Sequence, residues 1–272
     1  MRDSIILNLR AVWARAYVRI VGANREPSWI IAETLLPLFS LSAYVFLYKA
    51  IDAPAQFIGF VILGGTMTAY WIAILWGMAA QFYWEKTSGQ FALYLIAPMS
   101  RMAILMGMAV GGFFMTTIRA VATLIIGCLI FRVEFQVVSW VYLILIFLLS
   151  MVALYGMGMM FASLFLLWGR EVQHLTNLLQ EPIYLFSGFY FPVKCLGTWV
   201  SSFASLIPLT LGLDGMRQCL FGQAKAMGFM SFKLEVLILL GMDIVFLYLA
   251  GKMHRIMEYK GKKEGTLTTR WQ

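Results

Sequence analysis

Apolar residues run through this chain in blocks long enough to cross a bilayer, separated by short polar breaks. A hydrocarbon core of ~30 Å needs about 20 helical residues. That ruler predicts six spans: Ser28 to Tyr48, Phe57 to Ala80, Met102 to Phe131, Val137 to Trp168, Leu175 to Tyr190 and Phe232 to Ala250. The third and fourth exceed the bilayer and are expected to tilt or protrude. The fifth is the least clear of the six. Ahead of the first span, Ile5, Ile6, Leu9, Val12, Trp13, Ala16, Tyr17 and Ile20 recur at helical spacing as an amphipathic stripe. Arg15 and Arg19 border one edge of it and Arg10 the other. Arginines so placed reach for lipid phosphates, which predicts a helix lying on the cytoplasmic leaflet. The alternative is an extension of the first span, against which Asn24 to Pro27 sets a break.

Composition says why these blocks belong in lipid. Of the 272 residues, 61% are hydrophobic and 12% charged, and the mean hydropathy is +0.81. A soluble domain carries about twice that share of charge. One membrane domain is expected, with residues 1–27 as an interfacial helix, 28–251 as the six-span bundle and 252–272 as a tail. The net charge of +8 invites a nucleic-acid reading, but its placement at the termini and flanking apolar runs is that of cytoplasmic membrane flanks. With the N-terminus inside, fourteen of the 21 basic residues fall on cytoplasmic segments, among them Arg170 and Arg270, and six on outer ones, Lys225 included. Both termini are therefore expected in the cytoplasm, and an even number of spans agrees in placing them on one side. Cys128, Cys195 and Cys219 show no paired spacing for a metal site.

The polar stretch between the second and third spans, residues 81–101, is unusually aromatic for a loop. Phe91, Tyr94 and Leu95 share one side of a short helix that stops before Pro98. Apolar surface there implies a docking partner or a fold-back onto the chain itself. The pattern of Glu85, Lys86, Gly89, Leu93, Leu95, Pro98 and Arg101 resembles the cytoplasmic gate and coupling helix of the type-2 ABC exporter permeases. That resemblance implies that the segment, Phe91 and Tyr94 included, seats in a groove on a separate ATPase.

A second match follows the fifth span. Residues 181–193 read EPIYLFSGFYFPV and 207–217 read IPLTLGLDGMR. They resemble the family's outer region, where the chain turns back into the membrane as two short helices. The stretches Cys195 to Ile207 and Leu209 to Phe221 are each too short to span and meet at Pro208. The resemblance implies an outer gate at Gly188, Pro192, Pro208, Asp214 and Arg217. Cys195 and Cys219 would lie nearly level on the two arms, which leaves a disulfide open.

The whole is identified, by resemblance, as an all-α membrane protein: six spans, an interfacial N-terminal helix, a coupling helix and an outer re-entrant hairpin. The implied function is export of a drug-like or lipid-like substrate across the cell membrane. Ile207, standing where the polysaccharide exporters more often carry Asn, is the cue for that branch over sugar-polymer cargo. No phosphate-binding GxxxxGK[ST] loop is present. ATP and Mg are accordingly expected in a partner ATPase, in two copies, with a second permease chain beside this one and no cofactor held here.

Four ionisable residues fall within spans: Glu33, Arg119, Glu181 and Asp243. Each either pairs with a group on another helix or lines the substrate path. Phe186, Phe189, Tyr190 and Phe191 either cup a substrate or form an interfacial belt. Met157, Met159 and Met160 near Gly156 and Gly158 fit an adaptable surface or simple helix packing. An intramembrane enzyme is the competing class, but His174 and His254 form no ligand or acid–base set. A channel or scaffold working without ATP is the other alternative, and the coupling-like loop speaks against it.

Overall fold

The computed structural model describes residues 2–25, 27–165, 171–222 and 227–263, and all of its regular structure is helical. Arg170, Lys225, Arg270 and the end of the tail lie outside the described residues. The chain runs α1 (Arg2–Asn24), α2 (Pro27–Ala50), α3 (Gln56–Ile74), a π-helical turn (Leu75–Ala79), α4 (Gln81–Thr87), α5 (Phe91–Ile96) and α6 (Arg101–Phe131). After these come α7 (Trp140–Phe165), α8 (Glu171–Phe186), a 3-10 turn (Val193–Leu196), α9 (Thr198–Ala204), α10 (Pro208–Leu220) and α11 (Phe232–Lys263).

Among the described residues, five stretches are long and apolar enough to cross a membrane: Ile31–Ala50, Gln56–Thr87, Arg101–Phe131, Trp140–Phe165 and Phe232–Gly261. They correspond to five of the six expected spans. The remaining one, α8, has 16 residues, about 24 Å of helix, and is amphipathic.

Cross-contacts give the directions. α3 and α6 run antiparallel, with Gly127 against Ile62 and Tyr70 Oη donating to Thr117 Oγ1 at 2.9 Å. α7 and α11 run parallel: Gly156 packs on Phe246 and Ser163 meets His254 Nδ1 at 3.5 Å. Two parallel neighbours in sequence order require the chain to return between them, and α8 makes that journey. Its first turns, through Leu175 and Leu179, pack on Ala79, Ala80 and Phe165. Gln180 Oε1 accepts from Trp76 Nε1 at 2.8 Å, and the chain beyond α8 brings Phe189 against Gly64 near the middle of α3.

The core is aromatic and methionine-rich, centred on Trp71, Tyr70, Phe60, Met78 and Met108, all essentially sealed. Small residues let the backbones close in. A Cβ on Gly158 would stand 2.6 Å from Ile74 Cγ2 and 3.3 Å from Met78 Sδ, so Gly156 and Gly158 are packing glycines, and Met157 and Met159 beside them are buried.

α1 forms as a helix and leaves Ile5, Leu9, Trp13 and Tyr17 of its apolar stripe exposed, but two of its arginines do not point outward. It runs alongside the first turns of α6 in the same direction: Asn8 Oδ1 accepts from the Ser100 N–H at 2.9 Å, and Val12 and Ala16 abut Gly107 and Gly111. Arg15 and Arg19 turn inward instead of reaching lipid phosphates. Arg15 pairs with Glu85, and Arg19 donates to the Gly77 carbonyl in the π turn. A buried carboxylate and a π-turn carbonyl are acceptors that a leaflet phosphate would have to outcompete.

Candidate functional site

Two regions gather the polar chemistry, one at each end of the bundle. At the first, the helical path of α3 continues through the π turn into α4, and Glu85 and Lys86 are buried. Glu85 accepts from Arg15 and from Gln81 Nε2 at 3.0 Å. Gly89 then turns the chain at φ 80°, a left-handed conformation that glycine takes without strain. α5 follows.

The side of α5 expected to face a partner faces its own chain in part. Phe91 is 1% exposed, packed edge-on against the Tyr94 ring at 6.2 Å, and Tyr94 lies under the Arg15 guanidinium at 5.8 Å. Burial raises the Tyr94 pKa, with Glu85 adding to it. The outward residues are Leu93, 62% exposed, and Ile96, 81% exposed, and Trp84 of α4 is exposed as well. The side chain of Leu95 lies outside the described residues. Pro98 is exposed, and Arg101, opening α6, pairs with Glu258 of α11. In this region Arg15–Glu85 ties α1 to α4 and Arg101–Glu258 ties α6 to α11, while α1 packs along α6. Above it, Arg19 is largely enclosed, and burial lowers its pKa.

At the other end, two short helices, α9 and α10, follow one another where the hairpin is expected, with the helical path broken at Ile207 and restarted by Pro208 in the first turn of α10. Every residue from Pro208 to Leu220 is buried. Arg217 is the hub. Its Nη2 donates to the carbonyls of Phe189 at 2.7 Å and Phe60 at 3.1 Å, and Nη1 to the Phe191 carbonyl at 3.1 Å. The guanidinium also stacks 5.0 Å from the Phe60 ring centroid. Burial pushes its pKa down to about 10, with Asp214 pulling the other way. It remains a cation at neutral pH, held by three carbonyl dipoles and a nearby carboxylate.

That one side chain fastens the turn after α8 to α3 and α10. The turn bends at Gly188, φ 67°, and ends at buried Pro192; a Cβ on Gly64 would collide with the Phe189 carbonyl. Asp214 does a parallel task towards α11. Asp214 Oδ2 accepts from the Phe229 N–H at 2.7 Å and from Gln218 Nε2 at 3.1 Å. The same Gln218 nitrogen also reaches Glu235 Oε1 at 3.2 Å and the Met230 carbonyl at 2.7 Å. Gln218 and Glu235 escaped the sequence reading; their spacing from Asp214 carried no pattern, and only the fold brings them together.

Phe189 is sealed and Tyr190 half-buried, with the Tyr190 ring stacked on Tyr44 at 3.9 Å. They pack inward rather than forming an outward belt. Cys195 is exposed, Cys219 buried, and both are free thiols, so no disulfide joins the arms.

Of the intramembrane charges, Arg119 pairs with Glu33 across α6 and α2. Asp243 is buried, its Oδ1 without a hydrogen-bond partner among the described residues. Glu181 is exposed, touched by Gln180 Nε2 at 3.4 Å. It shares one third of the α8 circumference, at about 100° per residue, with exposed Glu171, His174 and Asn177 and with exposed Leu178 and Leu185.

Among families of known proteins, the one described as ABC-2 type transporter matches residues 8–221. No curated protein and no solved structure gives a match to the chain.

Proposed function

This chain belongs to the ABC-2 type transporter family and is a multi-pass membrane subunit of an ABC transporter; from that premise we propose that it is the permease of an ATP-driven exporter. It works as one of two permease chains, with two copies of a separate ATPase below them holding ATP and Mg. α8 is the fifth of six spans, and both termini face the cytoplasm of a cell-membrane protein. Cargo is drug-like or lipid-like, following Ile207; a glycolipid or sugar polymer is the second reading within the same family.

The observation that carries this is the exposed carboxylate of Glu181 part-way along α8. A carboxylate on a lipid-facing surface of a span costs several kcal/mol, about 2.5–3.5 for Asp on insertion scales. Glu181 is exposed in the single chain, so another protein surface or a water-filled path must face it. A second permease chain set against α8 supplies both.

In this reading, ATP binding closes the ATPases and draws on α5 through Leu93 and Ile96. The junction of Arg15–Glu85 and Arg101–Glu258 transmits the movement into α1, α4, α6 and α11 as one body. The Arg217-centred hairpin is the outer gate, closed while the carbonyls of Phe189 and Phe191 remain on the guanidinium. Nucleotide shifts the equilibrium by binding one of the two arrangements better.

The test is cross-linking. With Cys128, Cys195 and Cys219 changed to Ser, a single cysteine at Asn177 should form cross-links to a second permease chain in native membranes, with a yield that changes on adding ATP. Reaction only with lipid-soluble thiol reagents, and no cross-linked species, would place α8 against lipid and sink the pathway reading.

A further inference from the structure

Resting on the reading of α11 as a span that ends in the cytoplasm, we infer that its cytoplasmic end is a docking face for the headgroups of anionic phospholipids in the inner leaflet. The expectation that basic residues would meet phosphates had fallen on α1, and the structure turns Arg15 and Arg19 inward. The need is met elsewhere.

α11 continues well past the expected end at Ala250, to Lys263. Counting about 30 Å of hydrocarbon from Phe232 at 1.5 Å per residue brings the inner boundary to roughly residue 252. Lys252 and Arg255 then lie in the headgroup layer, ~5–8 Å deep, and Lys260 and Lys263 just beneath it. All four are exposed, and with Ile256 and Tyr259 they occupy one arc of about 140°. Tyr259 is 70% exposed. No acidic residue shares that arc among the described residues; Glu258 lies on the other side, bound to Arg101.

Two features choose lipid over a protein partner. The first is continuity. The exposed apolar stripe of the span, Leu237, Ile244 and Tyr248, lies at the azimuth of Arg255 and Tyr259, so the surface that meets acyl chains above becomes cationic where phosphates begin. The second is fixation. Ser163–His254 and Arg101–Glu258 hold the opposite face of α11 against α7 and α6, so its basic face is directed away from the bundle. A tyrosine with basic neighbours at a membrane boundary suits a layer that is apolar on one side and anionic on the other.

Each Lys or Arg near an anionic leaflet contributes about a fivefold preference. The test uses the full chain with its ATPase, reconstituted in nanodiscs of phosphatidylcholine alone or with 30% phosphatidylglycerol. Retained lipid is counted by native mass spectrometry. Wild type should carry phosphatidylglycerol in preference to phosphatidylcholine. K252Q/R255Q should lose about 25-fold of that preference, with an unchanged thermal midpoint in pure phosphatidylcholine, while K194Q on the opposite surface loses none. Undiminished retention in the double variant, or an equal loss in K194Q, overturns the inference. Undiminished retention together with loss of the ATPase would assign the face to that protein instead. A cysteine at Lys260 separates this from failure of the topology itself: labelling from outside the cell would refute the cytoplasmic end whatever the lipid count.

Discussion

Replacing Arg217 by Leu removes the group that ties the turn after α8 to α3 and α10. Three carbonyls, on Phe60, Phe189 and Phe191, lose their donor at distances of 3.1, 2.7 and 3.1 Å. A hydrogen bond to a charged group contributes about 1.5–3 kcal/mol, so the gross loss is large. The desolvation cost of the buried guanidinium is recovered at the same time, since burial already disfavours that cation. Single-partner removals in such buried networks settle at about 3–5 kcal/mol, and Asp214 loses its neighbouring cation. At ~2–4 °C per kcal/mol for chains above 150 residues, the thermal midpoint of the solubilised complex should fall by about 6–20 °C. R217K keeps a charge but cannot fork to three carbonyls, and should fall between. Cys219, buried two residues on, reports the hairpin directly: in a background without the other thiols it should react with a water-soluble maleimide many times faster in R217L. A midpoint within 1 °C of wild type, with Cys219 still protected, would refute the hub assignment.

Four further outcomes follow from the same geometry. Leu93→Asp with Ile96→Asp should abolish copurification of the ATPase and leave the midpoint unchanged, because both side chains point outward; retained stoichiometric binding would move the docking face elsewhere. Phe91→Ala, in contrast, should cost about 3–5 kcal/mol as a core truncation, seen as a lowered midpoint. Arg119→Leu should destabilise by ~3–5 kcal/mol through the stranded Glu33 carboxylate, and adding Glu33→Gln should restore most of it; no restoration would mean the two act independently. Gly64→Ala should displace the Phe189 carbonyl and cost about 1–3 kcal/mol, with Cys219 reactivity rising as for R217L.

Much of the fold is legible because lipid allows so little variety. α6 and the hairpin restart at Pro208 could be read to within a residue: an apolar run ending at Phe131–Arg132 and a proline at a helix start have few alternatives. Glu85 and Lys86 belong to a pattern that leaves docking on a partner or folding back onto the chain open; α3 continues through a π turn and buries them, with Arg15, seventy residues earlier, paired to Glu85. Nothing local announces such a partner. For the same reason the arginines of α1 read as lipid contacts, and nothing in the sequence announces that the helix continues past the span end at Ala250, where His254 and Glu258 meet α7 and α6. α8 is the hardest to read, since a helix whose exposed side mixes polar residues with leucines has neither the uniform apolarity of a span nor the composition of a loop. Gln218 and Glu235 illustrate the remainder: a buried polar cluster is specified by tertiary geometry, and no spacing rule on one strand of sequence finds it.

The most direct measurement is to tag this chain, solubilise it mildly from its own membranes and identify what accompanies it by mass spectrometry. The account predicts a soluble subunit bearing a nucleotide-binding loop, in one-to-one ratio with the permease, whose ATP hydrolysis depends on Leu93 and Ile96. An intact, homogeneous chain recovered with no such subunit would contradict it.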